Sequence, residues 1–148
     1  IQNRGHPMRT LAFLLALALL LVPGMLLYIR VAPSDPARWH GDPETIPDPQ
    51  TPNFARLSAD VPLSISETAT RIAAQARRDG AQKLAGDREL TTWIVRSRLM
   101  GFPDYVTIRL DETAQGTRLT ALSRARFGRG DMGVNAARLQ RWIGAITP

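Results

Sequence analysis

The stretch YVTIRLDETAQGTRLTALSRA, residues 105–125, decides the fold class. Val106, Ile108 and Leu110 alternate with Thr107, Arg109 and Asp111, which is the two-residue period of a strand with one face buried. Residues 111–117 contain Gly116 and predict a hairpin loop, after which 118–125 returns as a second strand. Upstream, residues 90–98 are also strand-like. Ser64-Ile65-Ser66-Glu67 fits a capping box, and Ile65, Ala69, Ile72, Ala73 and Ala76 follow at helical spacing up to Gly80. Downstream, Leu139, Trp142, Ile143 and Ile146 place an apolar stripe on a final helix. The expected order is strand, helix, four strands, helix. Strands in a run with helices on one face predict an α+β fold, a two-layer domain with an antiparallel sheet and two helices.

Farther out, the N-terminal side changes character twice. Residues 11–29, LAFLLALALLLVPGMLLYI, carry no charge and are bounded by Arg9 and Arg30. At about 1.5 Å per residue they cover roughly 28 Å, close to the hydrocarbon thickness of a bilayer. The exit, Tyr28-Ile29-Arg30-Val31-Ala32-Pro33, offers no small-x-small cleavage site, so an uncleaved anchor is the reading and a cleaved signal the alternative. Basic residues tie at two on each flank, Arg4 and Arg9 against Arg30 and Arg38. A short tail before a long domain then favours tail inside and domain outside.

Six of the eleven prolines fall in residues 32–52, with one Arg against Asp35, Asp42, Glu44 and Asp48. Such a segment resists helix and central strand and reads as an extended spacer of up to roughly 65 Å. Trp39 and His40 are the side chains in it that would dock on the membrane surface or the domain. The expected division is a tail at 1–10, an anchor at 11–31, a proline-rich linker at 32–52 and a folded domain at 53–148.

The whole chain has 148 residues and a net charge of +6, with 19 basic residues of which Lys83 alone is lysine. It has no cysteine, which excludes disulfides, thiolate metal sites, iron–sulfur clusters and thiol catalysis. His6 and His40 both precede the expected domain, so a histidine triad and a histidine metal site are excluded within it. Asp104, Asp111, Glu112 and Asp131 are the carboxylates available for an acid pair. No catalytic residue, metal ligand or cofactor is assigned.

Residues 126–135, RFGRGDMGVN, are the densest unusual stretch. Gly128-x-Gly130-x-x-Gly133 formally matches a dinucleotide fingerprint, but only 15 residues remain after Gly133, too few for the second strand and acidic residue it requires. The structural reading makes Gly128, Gly130 and Gly133 a tightly folded loop and Asn135 the N-cap of a helix beginning at Ala136. Asp131 is placed to pair with Arg126 or Arg138, or to accept amides at the helix start. The functional alternative is an anion site built from helix-start amides and Arg124, Arg126, Arg129 and Arg138.

The pattern Ser123, Arg126-x-Gly128-x-x-Asp131-x-Gly133-x-Asn135, followed by Arg138, resembles the signature of the uncharacterised bacterial family called domain of unknown function 1499. Gly101-Phe102-Pro103-Asp104 resembles its upstream element and Pro52-Asn53 its opening. Leu122, Ala125 and Tyr105 depart from the family's usual Arg, Ser and Asp. The resemblance spans about Pro52 to Ile146 and implies a fold and a location rather than an activity. The expected function is a membrane-anchored interaction or anionic-ligand-binding module, in the bacterial inner membrane with a periplasmic domain. Its partners would be the bilayer itself and an anionic lipid, a small anion or an acidic protein. Nucleic acid is not expected, because only Phe127 and Trp142 could stack near the basic stretch. The alternative is an envelope enzyme using carboxylate and Arg.

Overall fold

The computed structural model describes residues 6–98 and 100–147. The chain divides into two units, residues 1–32 and 33–148. In the first, helix α1 (His6–Val31) is 26 residues long and contains Pro23. Residues 7–31 of it are long and apolar enough to cross a membrane, with a mean hydropathy of 2.5.

The second unit is an α+β fold. A one-turn helix α2 (Pro36–Trp39) comes first, then β1 (Phe54–Val61), helix α3 (Ile65–Arg78), β2 (Gln82–Gly86), β3 (Leu90–Arg96), β4 (Pro103–Thr113), β5 (Gly116–Ala125) and helix α4 (Val134–Gly144). The five strands form one antiparallel sheet in the order β1-β5-β4-β3-β2. After α2, the order is the one that the apolar periods dictate.

The alternation in β4 and β5 sets the two faces. Val106, Ile108, Leu110, Leu119 and Ala121 point to one side, where Ile72 and Ala76 of α3 and Leu139, Trp142 and Ile143 of α4 pack on them. Ser64 caps α3, its hydroxyl accepting from the Glu67 amide at 3.2 Å. The second half of the capping box is not made with that side chain, because the Glu67 carboxylate pairs with Arg71 one turn on.

The opposite face is not left to water. Residues 33–52, expected as an extended spacer, lie across it as a strap. Trp39 stacks on Tyr105, and Arg124 donates to the Trp39 carbonyl at 3.0 Å. His40 Nδ1 bonds the Thr92 hydroxyl at 2.9 Å, and Thr92 in turn bonds Thr107 at 3.0 Å. Asp42 pairs with Arg109, and Arg56 reaches the Pro43 and Ile46 carbonyls and the Asp48 carboxylate. Thr107 and Leu122, outward-facing residues of a nominally open sheet, are thereby fully buried. Two expectations are corrected. The compact unit begins at Pro33 rather than residue 53, and it contains one imidazole, that of His40. The strap's own turns use the carbonyls of Asp35, Pro36 and Asp42, and those of Pro33, Trp39, Pro43 and Ile46 accept from arginines instead.

Candidate functional site

The loop and helix at residues 126–138 form one buried polar network. Gly128, Met132 and Gly133 take left-handed backbone, at φ of 91°, 50° and 79°, while Gly130 does not. Helix α4 starts two residues earlier than expected, at Val134. Gly133 is its N-cap, without a side-chain bond, and Asn135 stands inside the first turn. Asp131 does the capping from outside the helix, accepting the Gly133 amide at 3.1 Å and the Asn135 amide at 2.8 Å. Of the partners expected for Asp131, the structure selects the amides, with Arg126 and Arg138 engaged elsewhere.

Asn135 is freed to link three elements. Its amide nitrogen donates to the Asn53 carbonyl at 3.1 Å and to Asp131 at 2.6 Å. Its carbonyl oxygen accepts from the Ser123 hydroxyl and from Arg138. Arg138 also reaches Ser123 at 3.1 Å and ends on Asp104 Oδ2 at 2.7 Å. Asn53 closes the loop by donating to the Gly128 carbonyl at 2.7 Å. Asn135 and Ser123 are fully buried, and Asn53, Arg138 and Asp104 nearly so. None of these side chains is among those with a buried polar atom left unpartnered, which is what burial demands.

The charges follow from that geometry. Burial pushes the Asp104 carboxyl above its usual value, with Arg138 opposing and Asp131 adding to the rise. Burial also works against Asp131, but the Asn135 amide and side chain and the Gly133 amide outweigh it and hold its pKa below the usual value. A low carboxylate tied to amides and a neighbouring one tied to an arginine are anchors of a fold, not a free acid–base pair.

The four arginines read as one anion site are dispersed. Arg138 is inside the network. Arg124 lies under the strap with its guanidinium 5.0 Å from the Trp39 ring centre, and burial lowers its pKa. Arg126 donates to the Pro33 carbonyl at 2.8 Å, and Arg129 is exposed. The helix-start amides already have an anion, the chain's own Asp131.

A different cationic site is assembled where the C-terminal end of α3, the end of β3 and the flank of α4 meet. Arg78, Arg96, Arg98, Arg138 and Arg141 line a cavity of about 480 Å³ together with Asp79. Asp79 accepts from Arg141 at 2.6 Å and from the Trp142 indole at 2.8 Å. Burial opposes its charge, but those two bonds overcome that and hold its pKa low. Arg96 donates to the Gly101 carbonyl at 3.1 Å. Arg78 and Arg98 are exposed. Of these five arginines the sequence singled out only Arg138, because the others are brought together from separate elements and share no motif. Among the described residues, no group of three or more His, Cys, Asp or Glu is placed to hold a metal ion.

The structure thus defines a sheet-and-two-helix domain, strapped on its second face, whose motif residues hold the fold and whose open cavity is cationic. The chain belongs to the family described as protein of unknown function (DUF1499), whose model matches residues 33–146 and so includes the strap. No relative among curated proteins matches the chain. Three solved structures are similar to it. Protein CV1439 from Chromobacterium violaceum is 10% identical with a TM-score of 0.49, over 65% of this chain and 96% of that one. Protein MLL2253 from Mesorhizobium loti is 9% identical at 0.49, over 63% and 93%. A DUF4468 family protein from Bacteroides ovatus is 11% identical at 0.31, over 76% and 90%.

Proposed function

We propose that this protein is a membrane-anchored module of the bacterial inner membrane whose periplasmic domain binds an anionic ligand. The observation that carries the reading is the cavity lined by Arg78, Arg96 and Arg98, which are in no ion pair among the described residues, beside Arg138 and Arg141, which Asp104 and Asp79 already pair. Guanidinium groups stay charged and present a planar fork of donors suited to carboxylate or phosphate. The anchor rests on the apolar helix α1, which is also compatible with a signal sequence. The enzyme alternative is weaker on geometry, since Asp104 and Asp131, the carboxylates nearest the motif, are both engaged by internal donors.

Two measurements test the reading. A reporter active only outside the cytoplasm, fused after Pro148, is expected to be active and to fractionate with membranes at full length. A soluble shortened product would remove the anchor, and an inactive reporter would reverse the orientation. Titration of the whole chain in nonionic detergent with tripolyphosphate is expected to show binding that Arg78→Ala/Arg98→Ala weakens. Equal binding by both proteins would remove the cavity as the site.

A further inference from the structure

A second cavity of about 420 Å³ lies beside the first, between α3 and the β2–β3 hairpin. It is lined by Arg77, Lys83 and Arg88 with Asp87 as its one acid. The two cavities are neighbours by construction. Arg77 lines one and Arg78 the other, at the last turn of α3. Trp93 lines the second and Val95 the first, two residues apart on the helix-covered face of β3. From Thr91 to Arg98 an extended chain covers roughly 20 Å. Lys83, paired with Trp93, and Arg88 stand beside its first half, and Arg96 and Arg98 stand at its far end. Eight basic residues line the two cavities with two acids, Asp79 and Asp87. Two of the eight, Arg138 and Arg141, are already paired with Asp104 and Asp79, which leaves six for a ligand.

Resting on the anion-binding reading above, we infer that the two cavities act together as one site for a linear polyanion of repeating phosphate groups. A single small anion satisfies two or three arginines and leaves the others repelling one another. A chain of evenly spaced charges satisfies the row and gains from simultaneous engagement of both cavities. Seven of the eight cations are arginine, which suits bidentate contact with phosphate. Among the described residues, the one aromatic lining either cavity is Trp93, which at 5% exposure offers little stacking surface, so a ligand with a flat ring is disfavoured. The Trp93 indole N–H is itself buried without an acceptor.

The test uses the whole chain in nonionic detergent at fixed salt, titrated with tripolyphosphate and with long-chain inorganic polyphosphate, and with single-stranded DNA and heparin as competitors. Long-chain polyphosphate is expected to bind at least roughly tenfold tighter than tripolyphosphate. Lys83→Ala/Arg88→Ala, both at exposed positions, is expected to weaken the long chain about tenfold and leave tripolyphosphate unchanged. Equal affinity for the short and long chains, with no effect of that double variant, would overturn the inference while leaving a one-cavity anion site standing. Binding of neither phosphate probe would remove both readings. Tighter binding of DNA or heparin than of polyphosphate would show that the ligand class is wrong.

Discussion

Trp39 lies flat on Tyr105, with ring centres 4.0 Å apart and planes 10° from parallel. This contact joins the proline-rich strap to the middle strand of the sheet, and Arg38 and Arg124 place guanidinium groups about Trp39 at 5.2 and 5.0 Å. Trp39→Ala removes a stacked, buried ring and should destabilise the domain by about 3 kcal/mol. Arg126→Ala, which loses the bond to the Pro33 carbonyl, should cost about 1 kcal/mol. Urea unfolding gives the magnitudes. Limited proteolysis should show new cleavage between residues 33 and 52 in Trp39→Ala, and an unchanged digest would mean that the strap holds without this ring.

The Asp104–Arg138 pair is buried at both ends. Removing one partner leaves the other charge without compensation, so Asp104→Ala should cost about 3–5 kcal/mol. In the double variant Asp104→Ala/Arg138→Leu the uncompensated charge is gone, and the loss should fall short of the sum of the singles by about 1–3 kcal/mol. Strict additivity in a double-mutant cycle would mean that the two side chains do not depend on each other.

Asp131 gives a pH signature. Its folded pKa lies below the ordinary 3.8, so its contribution to stability is complete above that value and disappears as the pH falls through the folded value. Asp131→Asn should therefore flatten the acid side of the stability curve below about pH 4. Asp131→Ala should cost about 1–3 kcal/mol at neutral pH by orphaning the Gly133 and Asn135 amides. Added phosphate should not restore Asp131→Ala. Restoration would mean that the helix start takes a free anion after all.

Gly86 marks where the strap crosses the β2–β3 end of the sheet. Its φ is +97°, and a Cβ built there would stand 1.9 Å from the Leu90 carbonyl oxygen and 2.8 Å from the His40 ring. Gly86→Ala combines a strained backbone with a clash against main chain, and should cost more than about 2 kcal/mol. Gly130→Ala, where a Cβ meets nothing within 4 Å, should be nearly silent. Thermal melts of the two variants compare them directly, and equal midpoints would contradict the close approach.

Much of the fold was legible in the residues alone. The alternation at Val106, Ile108 and Leu110, the cap at Ser64 and the stripe from Leu139 to Ile146 each depend on neighbours a few positions away, and periodicity reports such neighbours faithfully. The apolar run in α1 is legible for the same reason. Tertiary structure alone decided where the polar groups found their partners. Asp104 meets Arg138 across 34 positions, and Arg124 meets the Trp39 carbonyl across 85. Prolines between 33 and 52 look the same in a stalk or in a strap, because carbonyls such as those of Pro33 and Pro43 are open to an outside donor either way. Whether those carbonyls take water or arginine depends on which side chains β1 and β5 present to the outer face. The candidate site was hidden likewise: charge on Arg78, Arg98 and Arg141 is visible in the sequence, but their convergence is a product of how α3, β3 and α4 pack.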